Sequence, residues 1–129
     1  MRIMEKKIIS TDKAPAAIGP YSQAIKAGEL IYTSGMIPVV PETGEIVNGA
    51  EAQARQVLTN VRSLLEASGS SMDKVIKTTV FIKNMDDFAK INAIYAEFFE
   101  EGSYPARSCV EVARLPKDVL MEMEAIAIA

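Results

Sequence analysis

The sequence predicts an α+β domain with six strands in one mixed sheet, in the order βββαβαββ, and both helices on one face. Two windows repeat their apolar residues at helical spacing, whereas the other apolar runs are short, β-branched and bounded by Gly, Pro, Asn or Asp. There is no internal repeat, low-complexity tract or Ser/Gly-rich linker, so residues 1–129 are read as a single domain.

Residues 5–10 (EKKIIS) form a short first strand, and DKAPAAIGPYS after it reads as loop. Residues 22–27 and 30–37 pair as a hairpin around Gly28-Glu29. The stretch VVPETGEIV is loop again, around Pro41 and Gly44. The first helix runs from about residue 50 to 68, because Ala54, Val57, Leu58, Val61, Leu64 and Leu65 recur on one side while Glu51, Arg55, Arg62 and Glu66 fill the other. Asn48 with Glu51 reads as its capping pair and Gly69 as its stop. Residues 74–83 (KVIKTTVFIK) are a strand with Ile76, Thr78, Val80 and Ile82 on one face. The second helix spans about residues 85–100, starting after Asn84 and burying Phe88, Ile91, Tyr95 and Phe98, with Pro105 beyond its end. ARSCVEVARL and VLMEMEAIAIA close the chain as strands, separated by a turn at Pro116-Lys117-Asp118.

Two helices cover one side of such a sheet only, yet the last strand has apolar residues on both, with Met121, Met123 and Ala125 against Ile126 and Ile128. A symmetric homo-oligomer is the simplest cover for the second face, and closed rings such as trimers are among the options.

Composition removes whole classes of chemistry. Histidine is absent, which excludes Ser-His-Asp and Cys-His arrangements, a histidine base and nearly every zinc site of catalytic type. The seven glycines include no nucleotide-binding fingerprint. With a net charge of −3 and scattered Lys and Arg, the chain lacks the basic track that nucleic-acid binding requires. The lone Cys109 permits no intrachain bridge, and the charged start MRIMEKKIIS resembles neither a signal-peptide core nor a membrane span. A cytoplasmic protein without a membrane anchor is expected.

Four stretches carry a resemblance to a known family: APAAIGPYSQAI at 14–25, YTSGMIP at 32–38, NVRSLLEASGSSMDKVIKTTVFIKNMDDF at 60–88 and PARSCVEVARLPKDVLMEMEAIA at 105–127. Together they resemble the RidA (YjgF) family of enamine and imine deaminases over nearly the full length, in order and without large gaps. The resemblance implies a chorismate-mutase-like (YjgF-like) fold and a homotrimer with sites between subunits. It also implies hydrolysis of 2-iminobutanoate or 2-iminopropanoate to 2-oxo acids and ammonia, with no metal or organic cofactor. Such imines leak from pyridoxal-phosphate-dependent dehydratases acting on threonine and serine, which places the activity beside isoleucine biosynthesis. Met36 stands where the family often has glutamine, and the three residues before Met4 look like an extension or an upstream start.

Arg107 shares a strand side with Cys109, Glu111 and Ala113, opposite Ser108, Val110 and Val112. On the residues alone it pairs with a neighbouring acid, snorkels at a subunit edge, or grips a small carboxylate through two parallel hydrogen bonds. The resemblance assigns the last role. Glu122 and Glu124 sit beside Ile126 and Ile128 on one strand face, and both could be solvated acids; the resemblance makes Glu122 the base that aims the hydrolytic water. It also lines the site with Tyr21, Ser34 and Gly35, puts Asn92 behind it, and uses Cys109 through its backbone. By themselves, Tyr21 reads equally as a sheet-edge plug, Gly35 as a strand-end bulge and Cys109 as an inert half-buried thiol. Two other functions stay in view. One is a non-catalytic module that binds small carboxylates such as 2-oxo acids. The other is an endoribonuclease or translation inhibitor, against which the acidic pI near 5.0 and the missing histidines weigh.

Overall fold

The computed structural model describes residues 4–129; the three residues read as an extension lie outside the described residues. The strands are β1 (Lys6–Ile9), β2 (Ala24–Ala27), β3 (Leu30–Thr33), β4 (Val75–Ile82), β5 (Ala106–Glu111) and β6 (Met121–Ile128), with α1 (Ala50–Ala67) and α2 (Phe88–Glu97) between β3 and β5. They form one sheet in the order β1-β2-β3-β6-β4-β5. All neighbours are antiparallel except β4 and β5, which run parallel because α2 carries the chain back between them. The expected βββαβαββ order and mixed six-stranded sheet are what is found.

α1 supplies the core stripe that its sequence announces: Ala54, Val57, Leu58, Val61, Leu64 and Leu65 are all fully buried, facing Ile31, Val80, Ile82, Met121 and Met123. Burying one such side chain contributes roughly 1.5–3 kcal/mol. Among the described residues no helix is long and apolar enough to cross a membrane. Among the described residues no helix lies against the opposite face of the sheet. Ile8, Tyr32, Val110 and Ile128 remain exposed there, beside Glu122, Glu124 and Lys77.

Several local expectations are corrected. The N-cap of α1 is Gly49 at φ 93°, with no side-chain cap, so Asn48 and Glu51 do not form a capping box. Gln53 takes over locally, donating its Nε2 to Val47 O at 2.9 Å. Gly69 does end the helix, at φ 86°, with Ser70 N donating to Leu65 O at 2.8 Å. In β4 a bulge between Val75 and Lys77 turns Val75 inward and leaves Ile76 43% exposed, against the expected alternation. The second hairpin strand stops at Thr33, with only an isolated bridge from Met36 to Met123 beyond it. A 3-10 turn at Met85–Asp87 precedes α2, with Asn84 Oδ1 accepting from Asp86 N, and Phe88 and Phe98 are only partly buried.

The loop after β3 has little regular structure of its own, and α1 holds it. Asn60, 1% exposed, donates Nδ2 to Ile37 O at 3.0 Å and Val39 O at 2.8 Å, while its Oδ1 accepts from Gln56. Asn60→Leu would leave the Val39 carbonyl without this partner and Ile37 O with Val39 N alone, at a cost of roughly 1–3 kcal/mol. Urea unfolding should show that loss as a lower midpoint with an unchanged slope; a midpoint equal to that of the parent chain would show that the loop does not depend on Asn60.

Candidate active site

Arg107 projects from β5 on the side of the sheet that carries the helices. Its Cα partner in β4 is Thr78, which is fully buried beneath them. From α2, Asn92 Oδ1 accepts from Arg107 Nη1 at 2.7 Å, and the guanidinium lies 4.7 Å from the ring centroid of Tyr95 and 5.5 Å from that of Phe88. Neither of the two ion pairs found among the described residues involves Arg107. A planar cation with its flat side on an aromatic ring and one edge on an amide leaves other N–H groups for a carboxylate. Asn92, Tyr95, Ala96, Tyr104, Pro105 and Arg107 line an open cleft of about 400 Å³.

Glu122 points to the other side. Its partner in β4 is Phe81, and it lines a second cavity, of about 260 Å³, with Tyr21, Gly35, Met36, Ile37 and Lys117 among its walls. Burial, and secondarily the like charge of Glu124, holds its carboxyl above the usual glutamate range. A methyl group on Gly35 would sit 2.5 Å from Glu122 Oε1 and 2.7 Å from Cδ, so this position must lack a side chain for the carboxylate to lie where it does. The immediate neighbour of Gly35 is thus Glu122 itself. Tyr21 is half exposed, and its hydroxyl accepts from Ile18 N at 3.2 Å, which leaves the phenolic proton for another acceptor.

Within one chain, therefore, the two principal candidates do not meet. Arg107 gathers Asn92 and Cys109 on the helix side, and Glu122 gathers Tyr21 and Gly35 on the open side. The Ser34 hydroxyl donates to Ser22 O at 2.6 Å and its N–H to Gln23 O at 2.8 Å, which fixes the turn that presents Gly35. Cys109 is half-buried; burial pushes its thiol up, with Arg107 opposing in part, so little thiolate is present at neutral pH. Among the described residues no group of three or more His, Cys, Asp or Glu side chains could hold a metal ion.

Gln23 and Gln53 escaped the sequence reading. Gln23, 4% exposed, donates to Thr11 O, Ala14 O and Pro15 O and accepts from Thr11 N, clamping the loop that brings in Tyr21. Gln53 Oε1 accepts from Leu120 N at 2.7 Å, beside the start of β6. Their signal was available as amides beside apolar runs, but amides are ordinarily solvated and nothing local says that these are not.

Residues 11–129 match the family model described as endoribonuclease L-PSP. A RutC family protein of Pyrococcus horikoshii is 59% identical over 95% of this chain and 97% of its own length. A 2-iminobutanoate/2-iminopropanoate deaminase of Escherichia coli is 56% identical, over 95% of this chain and 97% of its own. Among solved structures, E. coli TdcF with bound serine superposes with a TM-score of 0.92 at 54% identity, covering 95% of this chain and 98% of the other. RidA from an Antarctic Psychrobacter gives 0.92 at 44% identity, covering 95% and 99%.

The raised proton affinity of Glu122 has a testable sign. A carboxyl whose folded pKa exceeds its unfolded value contributes stability below the ordinary glutamate range, and that contribution is lost as pH rises through the folded value. Glu122→Gln should then melt higher than the parent at about pH 7.5 and nearly the same at about pH 4. A variant less stable than the parent at the higher pH would mean that the carboxylate is paired rather than merely buried.

Proposed function

Since the chain belongs to the endoribonuclease L-PSP family, which takes in the RidA (YjgF) proteins, we propose that it is a deaminase hydrolysing 2-imino acids such as 2-iminobutanoate and 2-iminopropanoate to 2-oxo acids and ammonia. The observation that carries this reading is the Arg107 guanidinium, held at Nη1 by Asn92 and in neither ion pair found among the described residues, on a chain 56% identical over nearly its whole length to a protein of that activity. Serine bound to the TdcF relative supports the substrate class, since an amino acid has the carboxylate and the C2 nitrogen of an imino acid.

The chemistry asks little of a protein. A protonated imine is already electrophilic, so the enzyme needs to hold it still and bring water to C2. Arg107 takes the carboxylate through parallel hydrogen bonds, which fixes the direction of C2. Glu122 accepts a proton from the attacking water; its raised proton affinity suits it to take that proton and return it to the leaving nitrogen. Tyr21, with its free phenolic proton, and backbone groups near Gly35 and Cys109 steer the nitrogen and the new hydroxyl. Collapse of the tetrahedral adduct releases ammonia and leaves the 2-oxo acid. No covalent intermediate with the protein enters, and Cys109 has no chemical task.

Arg107 and Glu122 face opposite sides of one sheet, so a small substrate reaches both only if a second copy brings its Glu122 side against the Arg107 side of the first. A closed ring of three copies satisfies this and also covers Ile8, Tyr32, Val110 and Ile128. In this reading the protein is cytoplasmic, near the dehydratases that release such imines. The RNA-directed alternative keeps the acidic pI near 5.0 and the absence of histidine against it.

Freshly generated 2-iminobutanoate, with ammonia or 2-oxobutanoate release followed, is the direct test, and no acceleration over the spontaneous rate would sink the reading. Arg107→Ala should lose both turnover and 2-oxobutanoate binding, because truncating one partner of a desolvated charge pair costs about 2–5 kcal/mol. Arg107→Lys should remain badly impaired, since it keeps the charge and loses the fork. Glu122→Gln should bind 2-oxobutanoate while turnover falls, and full activity in that variant would remove Glu122 from its role. Gly35→Ala should behave like Glu122→Gln, with normal ligand affinity and poor turnover, because the added methyl displaces the carboxylate. Light scattering should give about three times the 14.0 kDa chain mass.

A further inference from the structure

We propose that Tyr95, fixed from beneath by Thr78, sets the plane of the Arg107 guanidinium, so that Thr78 and Tyr95 are positioning residues of the carboxylate site; this rests on Arg107 being the anion-binding group.

An exposed arginine ordinarily samples many rotamers, and one that must meet a small planar anion along one edge gains from having its plane chosen beforehand. Here the choice is made by a short closed circuit of contacts. Thr78 and Arg107 are Cα partners on adjacent strands, β4 and β5. From Thr78 the Oγ1 lies 2.7 Å from the Tyr95 hydroxyl, both side chains being buried. The ring of Tyr95 then rises through α2 to lie 4.7 Å from the Arg107 guanidinium, which leads back to the same rung of the sheet. Phe99 backs the ring at 4.7 Å between centroids, tilted by 42°, so it is held on its side as well as at its tip. Asn92 then fixes the guanidinium's rotation at Nη1, and Phe88 lies beside it at 5.5 Å.

The polar pair is what distinguishes this from ordinary core packing. Phenylalanine and valine would fill the same space with no buried hydroxyls, and a satisfied hydrogen bond adds only modestly to net stability. What the bond adds is direction, because it fixes the tip of a ring whose shelf is where the cation rests. Burial raises the Tyr95 pKa, against opposing contributions from Thr78 and Arg107, so the phenol stays protonated and the bond persists across the physiological range.

The test reads KM and kcat for 2-iminobutanoate, the Kd of 2-oxobutanoate and the ¹⁵N resonances of the Arg107 guanidinium, all in the intact protein. Removing the shelf with Tyr95→Leu should raise KM and Kd about 3- to 30-fold, the range of a cation–π contact, with kcat within about 3-fold of the parent. Tyr95→Phe should recover much of that loss, and the separate Nη signals expected of a guanidinium held still should merge in Tyr95→Leu. If Tyr95→Leu does not fold, Tyr95→Phe and Thr78→Val, which keep the shape of the core, decide the matter: each should raise KM about 2- to 5-fold at unchanged kcat. Parent-like KM and Kd in these variants, or a fall confined to kcat, would overturn the inference. Arg107→Ala separates the two levels. If it alone abolishes 2-oxobutanoate binding while the Tyr95 and Thr78 variants bind normally, only the positioning role falls; if Arg107→Ala binds normally, the anion-site reading falls and takes this one with it.

Discussion

The register of β5, β4 and β6 is the constraint on which the rest of the site depends. Side chains along a strand alternate between faces, so pairing Thr78 with Arg107 and Phe81 with Glu122 sends the cation to the helix side and the carboxylate to the open side. A slip of one residue in β5 would bring Ser108 and Val110 under the helices and take Arg107 away from Asn92 and Tyr95. That register is enforced by burial. Val80, Ile82, Met121 and Met123 are almost wholly buried on the helix side; turning β4 over would expose the first two, and turning β6 over would expose the methionines while burying Glu122 and Glu124.

Around this rigid centre the site loops are held by polar side chains. The chain from Ser34 to Val47 has only isolated bridges, and its carbonyls would be poorly satisfied without Asn60 and Gln53 from α1. Gln23 does the same for the loop before β2 that delivers Tyr21. Gly35 is thereby kept against β6, where only a residue without a side chain leaves space for the Glu122 carboxylate. Two loops without regular structure thus acquire fixed geometry from three buried amides, each making several hydrogen bonds at once.

Much of the fold was legible because periodicity reports burial. The α1 stripe from Ala54 to Leu65 and the alternation of β6 are such signals, and both are found where the sequence puts them. Ile76 was misplaced because a bulge changes parity without leaving a mark in the residue types. Asn48 and Glu51 have the spacing of a capping box, yet Gly49 already turns the chain with its positive φ, and no side chain caps the helix. At the candidate site, Arg107, Glu122, Tyr21, Gly35 and Asn92 stood out only through the family's motifs, since each has a bland reading of its own. The hydrogen bonds of Thr78, Tyr95, Gln23 and Gln53 could not be read, because contacts between residues distant in sequence leave no local pattern.

The central claim is that a working site needs the Arg107 side of one copy and the Glu122 side of another. Mixing subunits of two inactive variants tests it directly. Arg107→Ala and Glu122→Gln proteins, unfolded together in equal amounts and refolded, form hybrid assemblies in which about one interface in four joins an intact Arg107 to an intact Glu122. The mixture should then regain about a quarter of the parent activity, whereas each variant refolded alone stays inactive. Hybrids verified by native mass spectrometry that show no regained turnover would contradict the account, because both groups would then have to act from the same chain.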